Sequence, residues 1–254
     1  MLWMGSFFFL LLGLFIGSFL NVVIYRLPRG ETIIWGRSRC PACGRVLAWY
    51  DLVPVASYLV VRGRCRYCGE RISPRYVAVE LLTGAVFAVL FWHFGLTAAL
   101  LKYLFLSCIL IAASFIDLEH YVIPDRLVAA GFIGAGLFEL YFREVGFWSS
   151  FLGSVAAGGI LLLVIILSRG GMGLGDAKLA AMVGFFLGWP RAVFSLFLAV
   201  ISGGIVAAFL LLLKLKGRKD AVPFGPFISL GAIAALLWGE AVFGWYVNVF
   251  IHSM

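Results

Sequence analysis

The chain has 254 residues, of which 63% are hydrophobic and only 13% are charged, and its mean hydropathy is +1.07. A soluble domain of this length cannot bury so much apolar surface, because its single core stops growing before that fraction is covered. The composition therefore excludes a soluble protein and predicts an all-α polytopic membrane protein. The net charge of +8 has to be explained by where the basic residues lie relative to the membrane.

Apolar runs of roughly 18 residues or more predict about eight transmembrane helices. The first run lacks a basic start and a small-residue cleavage site, so we interpret it as a spanning helix rather than a cleaved signal peptide. The sixth span is short for a hydrocarbon layer of ~30 Å. The predicted spans are Leu2–Ile24, Tyr76–Phe94, Ala98–Ile116, Leu127–Phe142, Phe147–Leu167, Ala177–Trp189, Ala192–Leu213 and Phe224–Val249.

The basic residues are concentrated on one side of this arrangement, where sixteen of the twenty Lys and Arg residues fall in loops and Lys178 lies at the start of the sixth span. The positive-inside rule places these loops in the cytoplasm and both termini outside. Topology thus explains the basic excess, and we expect membrane lipid rather than nucleic acid as a partner.

The segment 26–75, between the first two spans, is the one stretch that is polar and long enough to form a domain of its own. It contains "CPACG" at Cys40–Gly44 and "CRYCG" at Cys65–Gly69. Two C-x-x-C pairs at this spacing predict a tetrahedral Zn²⁺ site formed by Cys40, Cys43, Cys65 and Cys68.

Two disulfides or four free thiols are the alternatives to zinc, and a disulfide fits poorly because cytoplasmic thiols stay reduced. Four protein ligands leave no open position, so the metal is expected to support folding rather than chemistry. The predicted domains are 1–25 as the first transmembrane helix, 26–75 as the zinc-binding domain and 76–254 as a membrane-embedded domain of seven helices.

Carboxylates inside a membrane need a reason, because one at the centre of a spanning helix costs ~2.5–3.5 kcal/mol on insertion scales. Asp117 ends the third predicted span and Asp176 opens the sixth, so the two lie at the same membrane depth. The candidates near span ends are Glu80, Asp117, Glu119, Asp125, Asp176 and Glu240.

Paired carboxylates at one depth are typical of an aspartyl protease dyad, in which one group activates water and the other polarises the scissile carbonyl. Gly173 and Gly175 have no side chains, so the backbone there can approach a neighbouring helix or an extended peptide closely. Asp176 would also lie at a helix N-terminus, where the dipole favours negative charge.

Other interpretations remain open from the residues alone. Asp176 could be a simple N-cap with Lys178 as a local salt-bridge partner. Asp125 follows "IP", and we expect it to cap the fourth span, since Asp is a favoured N-cap. Spacing and depth leave catalysis by Asp117 and Asp176 open against capping or ion translocation.

The chain resembles the bacterial type IV prepilin peptidases, members of the GxGD class of intramembrane aspartyl proteases. "GLGDAK" is similar to the GxGD signature of that family, and "DLEHYVIPD" to its other aspartate motif, whose first Asp is catalytic. The resemblance runs nearly end to end, through "GSFLNVVIYRLP" (Gly17–Pro28), both cysteine pairs, "CGERISPRYVAVELLTG" (Cys68–Gly84), "DLEHYVIPD" (Asp117–Asp125), "GLGDAK" (Gly173–Lys178) and "PFGPFISLGA" (Pro223–Ala232).

This resemblance implies an inner-membrane enzyme with two activities and with prepilins and pseudopilins as substrates. The first is cleavage of the basic leader peptide at the cytoplasmic face by Asp117 and Asp176. The second is N-methylation of the new N-terminal residue, usually Phe, with S-adenosyl-L-methionine as donor.

A methyl-donor site cannot be derived from the residues, since no Gly-rich loop follows a strand. Glu80 near the cytoplasmic face is a possible participant in methylation, and a buried, hydrogen-bonded helix carboxylate is the alternative. A peptidase-only homologue and a proton-coupled transporter are the competing functions, although the fourth to seventh spans carry almost none of the deep polar residues that a transporter needs.

Overall fold

The computed structural model describes residues 2–168, 172–217 and 220–250, without the side chains of 243–248 and 250. Over these residues the chain is helical, with two isolated β-bridges and no longer strand. The all-α prediction is therefore confirmed. The helices are α1 (Leu2–Arg26), α2 (Ala56–Val60), α3 (Arg75–Phe94), α4 (Ala98–His120), α5 (Asp125–Phe142), α6 (Phe147–Leu167), α7 (Leu174–Leu187), α8 (Arg191–Leu212) and α9 (Gly225–Phe250), with short 3₁₀ turns at Leu27–Arg29 and Trp49–Leu52.

The chain divides into two compact units, Met1–Ala112 and Ala113–Met254, and the division falls within α4. In the first unit, α1 and α3 pack along each other with very little space between their backbones. A Cβ atom added to Gly13 would lie 2.7 Å from the Cα of Gly84, and one added to Gly17 would lie 2.7 Å from the Cα of Glu80. Small residues at helix crossings are what allow such close packing inside a membrane.

In the second unit, α7 is a short central helix rather than a surface one. It packs against α5, α6, α8 and α9. Most of its length is enclosed, and apolar residues lie on every side of it, as expected for a helix in the interior of a bundle. Its buried residues are Asp176, Ala177, Leu179, Ala180, Met182, Val183, Gly184, Phe186 and Leu187.

Six of the eight predicted spans coincide with helices that are long and apolar enough to cross a membrane. The other two predictions correspond to α5 and α7. Helix α7 has 14 residues, or about 21 Å at 1.5 Å per residue, and α5 carries Asp125, Arg126 and Glu139. The chain is therefore a multi-pass membrane protein, and the count of eight stays a prediction.

The outward faces of the long helices carry large apolar side chains, such as Trp3, Phe15 and Leu163, which are exposed. At several helix crossings the closest contacts are made by glycine, and buried leucine, isoleucine and phenylalanine side chains fill the rest of the interior. This arrangement suits a lipid environment, because lipid tails solvate the large side chains while small residues let the helices approach one another.

The contact between α6 and α7 depends on the absence of a side chain at Gly153. A Cβ atom there would lie 2.5 Å from the carbonyl oxygen of Gly184 and 2.9 Å from the Cα of Gly188. We expect Gly153→Ala to destabilise the protein by about 1–3 kcal/mol through overpacking. Thermal unfolding in detergent measures the effect.

The matched control is Gly159→Ala in the same helix, where an added Cβ atom meets nothing within 4 Å. This variant should unfold at the wild-type temperature or above it, because alanine favours a helix interior over glycine. Equal melting temperatures for the two variants would contradict the packing argument.

Candidate active site

Asp117 lies near the C-terminal end of α4 and is only 5% exposed. Its Oδ2 atom accepts a hydrogen bond of 2.8 Å from the backbone N–H of Gly225, the first residue of α9. That N–H is one of the donors that a helix N-terminus leaves without an internal partner, and the helix dipole adds partial positive charge there. A distant part of the chain therefore orients this carboxylate.

Asp176 lies in the first turn of α7, as the sequence predicts, and it is 8% exposed. Its Oδ2 atom accepts a hydrogen bond of 3.3 Å from the backbone N–H of Gly173, the N-cap residue. A Cβ atom on Gly175 would lie 3.1 Å from the Cβ of Ile123. Gly175 thus permits close packing, whereas Gly173 contributes its N–H group.

Asp117 and Asp176 come from α4 and α7, and both helices contact α9. The two carboxyl groups are close enough for their charges to influence each other. In the described part of the chain, each accepts a backbone N–H through Oδ2. Neither Oδ1 atom accepts a hydrogen bond from the residues that the structure describes.

Asp125 is not the N-cap of α5, so that expectation is wrong. Helix α5 begins at Asp125, with Pro124 in the N-cap position and no side-chain capping bond. The carboxylate instead accepts a 2.7 Å hydrogen bond from Lys178 Nζ. Lys178 therefore pairs with Asp125 rather than with Asp176, and the pair links the first turns of α5 and α7.

The exposed pair of Asp125 and Lys178 is worth little stability, since such pairs contribute about 0–1 kcal/mol. It joins the start of α5 to the start of α7, where Gly175 also approaches Ile123.

Sequence reasoning missed the residues that hold α4 against α9. Ser114, one turn before Asp117, donates a hydrogen bond of 2.8 Å to the hydroxyl of Ser229, which in turn donates to the carbonyl of Gly225. The stretch "PFGPFISLGA" contains Gly225 and Ser229, and it is the sequence motif from which a role for these two residues could have been predicted. Its Pro226, in the first turn, is typical of a helix start.

A further buried carboxylate of the second unit, Glu139, does not belong to this site. It accepts hydrogen bonds from the backbone N–H groups of Gly146 at 2.7 Å and Val145 at 3.4 Å, one to each oxygen. Since Gly146 is the N-cap residue of α6, Glu139 supports the turn between two helices.

Glu80 is the buried carboxylate of the first unit, at 8% exposure. Its Oε2 atom accepts a hydrogen bond of 2.8 Å from the backbone N–H of Val55, and the Ser18 hydroxyl also hydrogen-bonds to it. Glu80 is therefore a buried, hydrogen-bonded helix carboxylate, as one of the two interpretations of the sequence predicts. Its participation in methylation stays a prediction.

The four cysteines Cys40, Cys43, Cys65 and Cys68 form a cluster that fits a metal ion. Their sulfur atoms all lie within 4.8 Å of one another, and all four are free thiols rather than disulfides. The sulfur atoms of Cys40 and Cys68 are 3.9 Å apart. Tetrahedral Zn²⁺ with Zn–S bonds of ≈ 2.3 Å requires about 3.8 Å, so the donor set and its spacing fit.

Each cysteine pair adopts the same local fold. In the first pair, the N–H of Cys40 bonds to the carbonyl of Arg45 and the N–H of Gly44 bonds to the carbonyl of Cys40, both at 2.9 Å. The second pair repeats both bonds with Cys65 and Gly69 as donors. Gly44 and Gly69 have φ values of 69° and 75°, which glycine adopts without strain.

Asp51 connects the cluster to the rest of the segment. It accepts hydrogen bonds of 2.9 Å from Arg66 and from Tyr67, the two residues between Cys65 and Cys68. Burial opposes its ionisation, but these hydrogen bonds lower the pKa of Asp51 below its ordinary value. The same contact raises the pKa of Tyr67 to about 12, so Tyr67 remains a donor at physiological pH.

We expect the purified protein to contain about one Zn²⁺ per chain, because the four thiols match a closed tetrahedral site. Cys43→Ser should abolish the bound metal, and Asp51→Ala should weaken metal retention by about 10-fold or more through loss of outer-shell support. Elemental analysis after graded chelator treatment measures both effects.

The control is Cys108→Ser, which alters a free thiol in α4 outside the cluster. This variant should keep the metal. Full metal loss on Cys108→Ser, or metal-free wild-type protein with reduced cysteines, would contradict the assignment.

Comparison with known proteins agrees with this division of sites. Residues 11–94 match the bacterial peptidase A24 N-terminal domain, and residues 104–208 match the type IV leader peptidase family. No solved structure matches the chain.

Several curated relatives carry the name prepilin leader peptidase/N-methyltransferase, and three of them illustrate the extent of the matches. The Pseudomonas putida protein is 35% identical over 264 residues, which cover 91% of this chain and 90% of the relative. The Bacillus subtilis protein is 33% identical, with coverage of 93% and 96%. The Myxococcus xanthus protein is 39% identical, and the match covers 81% of this chain but only 63% of that longer relative. The chain therefore belongs to the type IV leader peptidase family and is an enzyme.

Proposed function

We propose that the chain is a bifunctional enzyme of the bacterial inner membrane. It cleaves the basic leader of type IV prepilins and pseudopilins at the cytoplasmic face, and it methylates the new N-terminal residue with S-adenosyl-L-methionine. The observation that carries the cleavage proposal is that two aspartates, Asp117 at the end of α4 and Asp176 at the start of α7, are both buried and close enough for their charges to influence each other. The printed names of the relatives support both reactions.

In the proposed mechanism, one aspartate is ionised and the other carries a proton, because two adjacent carboxylates repel each other in a site with little water. The ionised group takes a proton from a water molecule, which attacks the scissile carbonyl carbon. The protonated group donates a hydrogen bond to the carbonyl oxygen. Asp117 and Asp176 would then return the proton to the leaving amine as the C–N bond breaks.

The surrounding backbone supports this mechanism by fixing both side chains. The N–H groups of Gly225 and Gly173 each hold one Oδ2 atom. Supporting roles fall to Gly175, which lets the loop at Ile123 pack closely, and to Lys178 paired with Asp125. A scaffold that holds catalytic groups within a fraction of an ångström is worth a large share of the rate.

We further propose that Cys40, Cys43, Cys65 and Cys68 hold a structural Zn²⁺ in the cytoplasmic domain 26–75. Residues 76–254 would form the peptidase domain, and residues 1–25 the first membrane helix. Both termini would face away from the cytoplasm, as the distribution of basic residues predicts. Prepilins, pseudopilins and membrane lipid are the proposed partners, and nucleic acid is not.

The competing functions make different predictions for one assay. A peptidase-only homologue would remove the leader without adding a methyl group, and a proton-coupled transporter would do neither. Mass spectrometry of a prepilin incubated with the purified protein and S-adenosyl-L-methionine separates the three.

Asp117→Asn and Asp176→Asn should each abolish leader cleavage, with a loss of at least about 100-fold, since each removes one half of the acid–base pair. Methylation of pilin supplied without its leader should continue in both variants. The exposed Asp220→Asn serves as a control and should cleave normally. Normal cleavage by either active-site variant would refute the dyad.

Gly225→Ala should impair cleavage although both aspartates are still present in the chain. The added Cβ atom would lie 2.9 Å from Asp117 Oδ2 and 3.3 Å from its Cγ, so the carboxylate must move. Displacement of a catalytic group by about 1 Å can cost ~100-fold in rate. The readout is the turnover number for a synthetic prepilin.

Gly239→Ala, in the same helix, is the matched control, because its added Cβ atom makes only ordinary contacts at 3.8 Å with Arg191. It should cleave at the wild-type rate. Equal rates for the two variants would show that the contact between Gly225 and Asp117 does not position the carboxylate.

A further inference from the structure

The first unit contains a buried polar cluster that leader cleavage does not use. Among the described residues of this unit, Glu80 is the acidic residue that is buried as a whole, backbone and side chain together. It lies on α3 opposite Gly17 of α1, where a Cβ atom would be 2.7 Å from the Cα of Glu80. The absence of a side chain at Gly17 brings the two helices together at this carboxylate.

Asn21 lies one turn further along α1 and is 4% exposed. Its Nδ2 atom donates a hydrogen bond of 2.9 Å to the carbonyl of Tyr76, the residue one turn before Glu80. The Oδ1 atom of Asn21 is buried and accepts no hydrogen bond from any described residue. A buried acceptor without a donor is costly and asks for an explanation.

The backbone next to Glu80 is also strained. Val55, whose N–H donates to Glu80, has φ 59° and ψ −52°. A β-branched residue rarely adopts positive φ, and such outliers cluster at functional sites. Val55 is the central residue of a tight turn closed by a hydrogen bond from the N–H of Ala56 to the carbonyl of Pro54, and Glu80 accepts the N–H of Val55 itself.

These two side chains are complementary to an ammonium group. A carboxylate and an amide oxygen supply negative charge and acceptors, and an ammonium supplies up to three N–H donors. Methylation of a peptide N-terminus needs such a site, because the α-amine is largely protonated near neutral pH and only the neutral amine is a nucleophile.

We propose that Glu80 and Asn21 bind the N-terminal α-ammonium of processed pilin and that Glu80 takes a proton from it. This inference rests on the proposed methyltransferase function. The proton passes to the Glu80 carboxylate, and the freed nitrogen lone pair attacks the methyl carbon of S-adenosyl-L-methionine. The S–CH₃ bond breaks with its electrons going to sulfur, which leaves S-adenosylhomocysteine and a methylammonium. Glu80 then releases its proton to water.

The decisive variant is Glu80→Gln, which preserves the size of the side chain and an oxygen for the N–H of Val55. Methylation of pre-cleaved pilin should fall by at least about 100-fold near neutral pH, as expected for loss of a general base. The deficit should shrink as the pH is raised well above ~8, because the free α-amine, with a pKa of ≈ 7.7–8.0, then no longer needs a base. Leader cleavage should not change.

Glu70→Gln is the matched control, since it removes an exposed carboxylate of the same unit and should leave both activities intact. Asn21→Leu is the second variant and should raise the KM for pre-cleaved pilin more than it lowers kcat. Metal content and thermal unfolding establish that each variant is folded.

The methyl donor also carries an ammonium group, so Glu80 could bind the donor instead of the pilin N-terminus. Calorimetry with S-adenosyl-L-methionine alone distinguishes these two cases. Glu80→Gln should leave the affinity for the donor unchanged. Weaker donor binding with an unchanged KM for pilin would overturn the proposal, as would a deficit that does not depend on pH or a parallel loss of cleavage. Wild-type protein that cleaves but does not methylate would refute the methyltransferase function instead.

Discussion

The structure depends on one recurring contact, a buried carboxylate that accepts the backbone N–H of a helix start. The four buried acidic residues of the described chain, Glu80, Asp117, Glu139 and Asp176, accept from Val55, Gly225, Gly146 and Gly173 in that order. Each donor is the N-cap or first residue of α2, α9, α6 or α7. Burial keeps water away from both partners, so an unpaired N–H or an unpaired carboxylate there would cost about 1–3 kcal/mol or more. Pairing the two satisfies both groups and fixes the entry of each helix.

This contact also explains which parts of the site could be predicted from the sequence. The two aspartates were recognisable because their depth and local motifs are properties of short stretches. The partner of Asp117 was not, since Gly225 is 108 residues away along the chain and its N–H carries no signature in the sequence. The sequence predicts Asp125 as a helix cap because only its neighbours along the chain are apparent from the sequence. Its actual partner, Lys178, lies 53 residues away and competes successfully with the local backbone. Local propensity is a weak guide where a long-range ion pair is available.

In the fold too, features set by short stretches of sequence could be predicted, whereas features set by residues far apart in the chain could not. The cysteine cluster was predictable because its ligands lie in two short repeats whose spacing fits tetrahedral coordination. The first residue of α7 was not predictable in the same way. The predicted span begins at Ala177, whereas the helix begins at Leu174, next to the N–H of Gly173 that donates to the Asp176 carboxylate. The shortness of α7 is explained by its position. A helix enclosed by α5, α6, α8 and α9 does not have to match the thickness of the bilayer by itself.

The four buried carboxylates differ in how many of their oxygen atoms already accept hydrogen bonds, and this difference separates them by role. In the described structure Glu139 uses both oxygens on the backbone of one turn, which leaves it no capacity for a reactant. Asp117 and Asp176 each use one oxygen and interact with each other, so the hydrogen bonds hold them in place without exhausting them. Glu80 is an intermediate case: backbone and hydroxyl donors hold it, but an adjacent buried oxygen of Asn21 has no donor. A buried carboxylate next to a buried oxygen that accepts no hydrogen bond is poorly explained by stability alone. Binding of a hydrogen-bond donor at that point would satisfy the cluster, which is why the unpaired Asn21 oxygen directs attention to Glu80 rather than to Glu139.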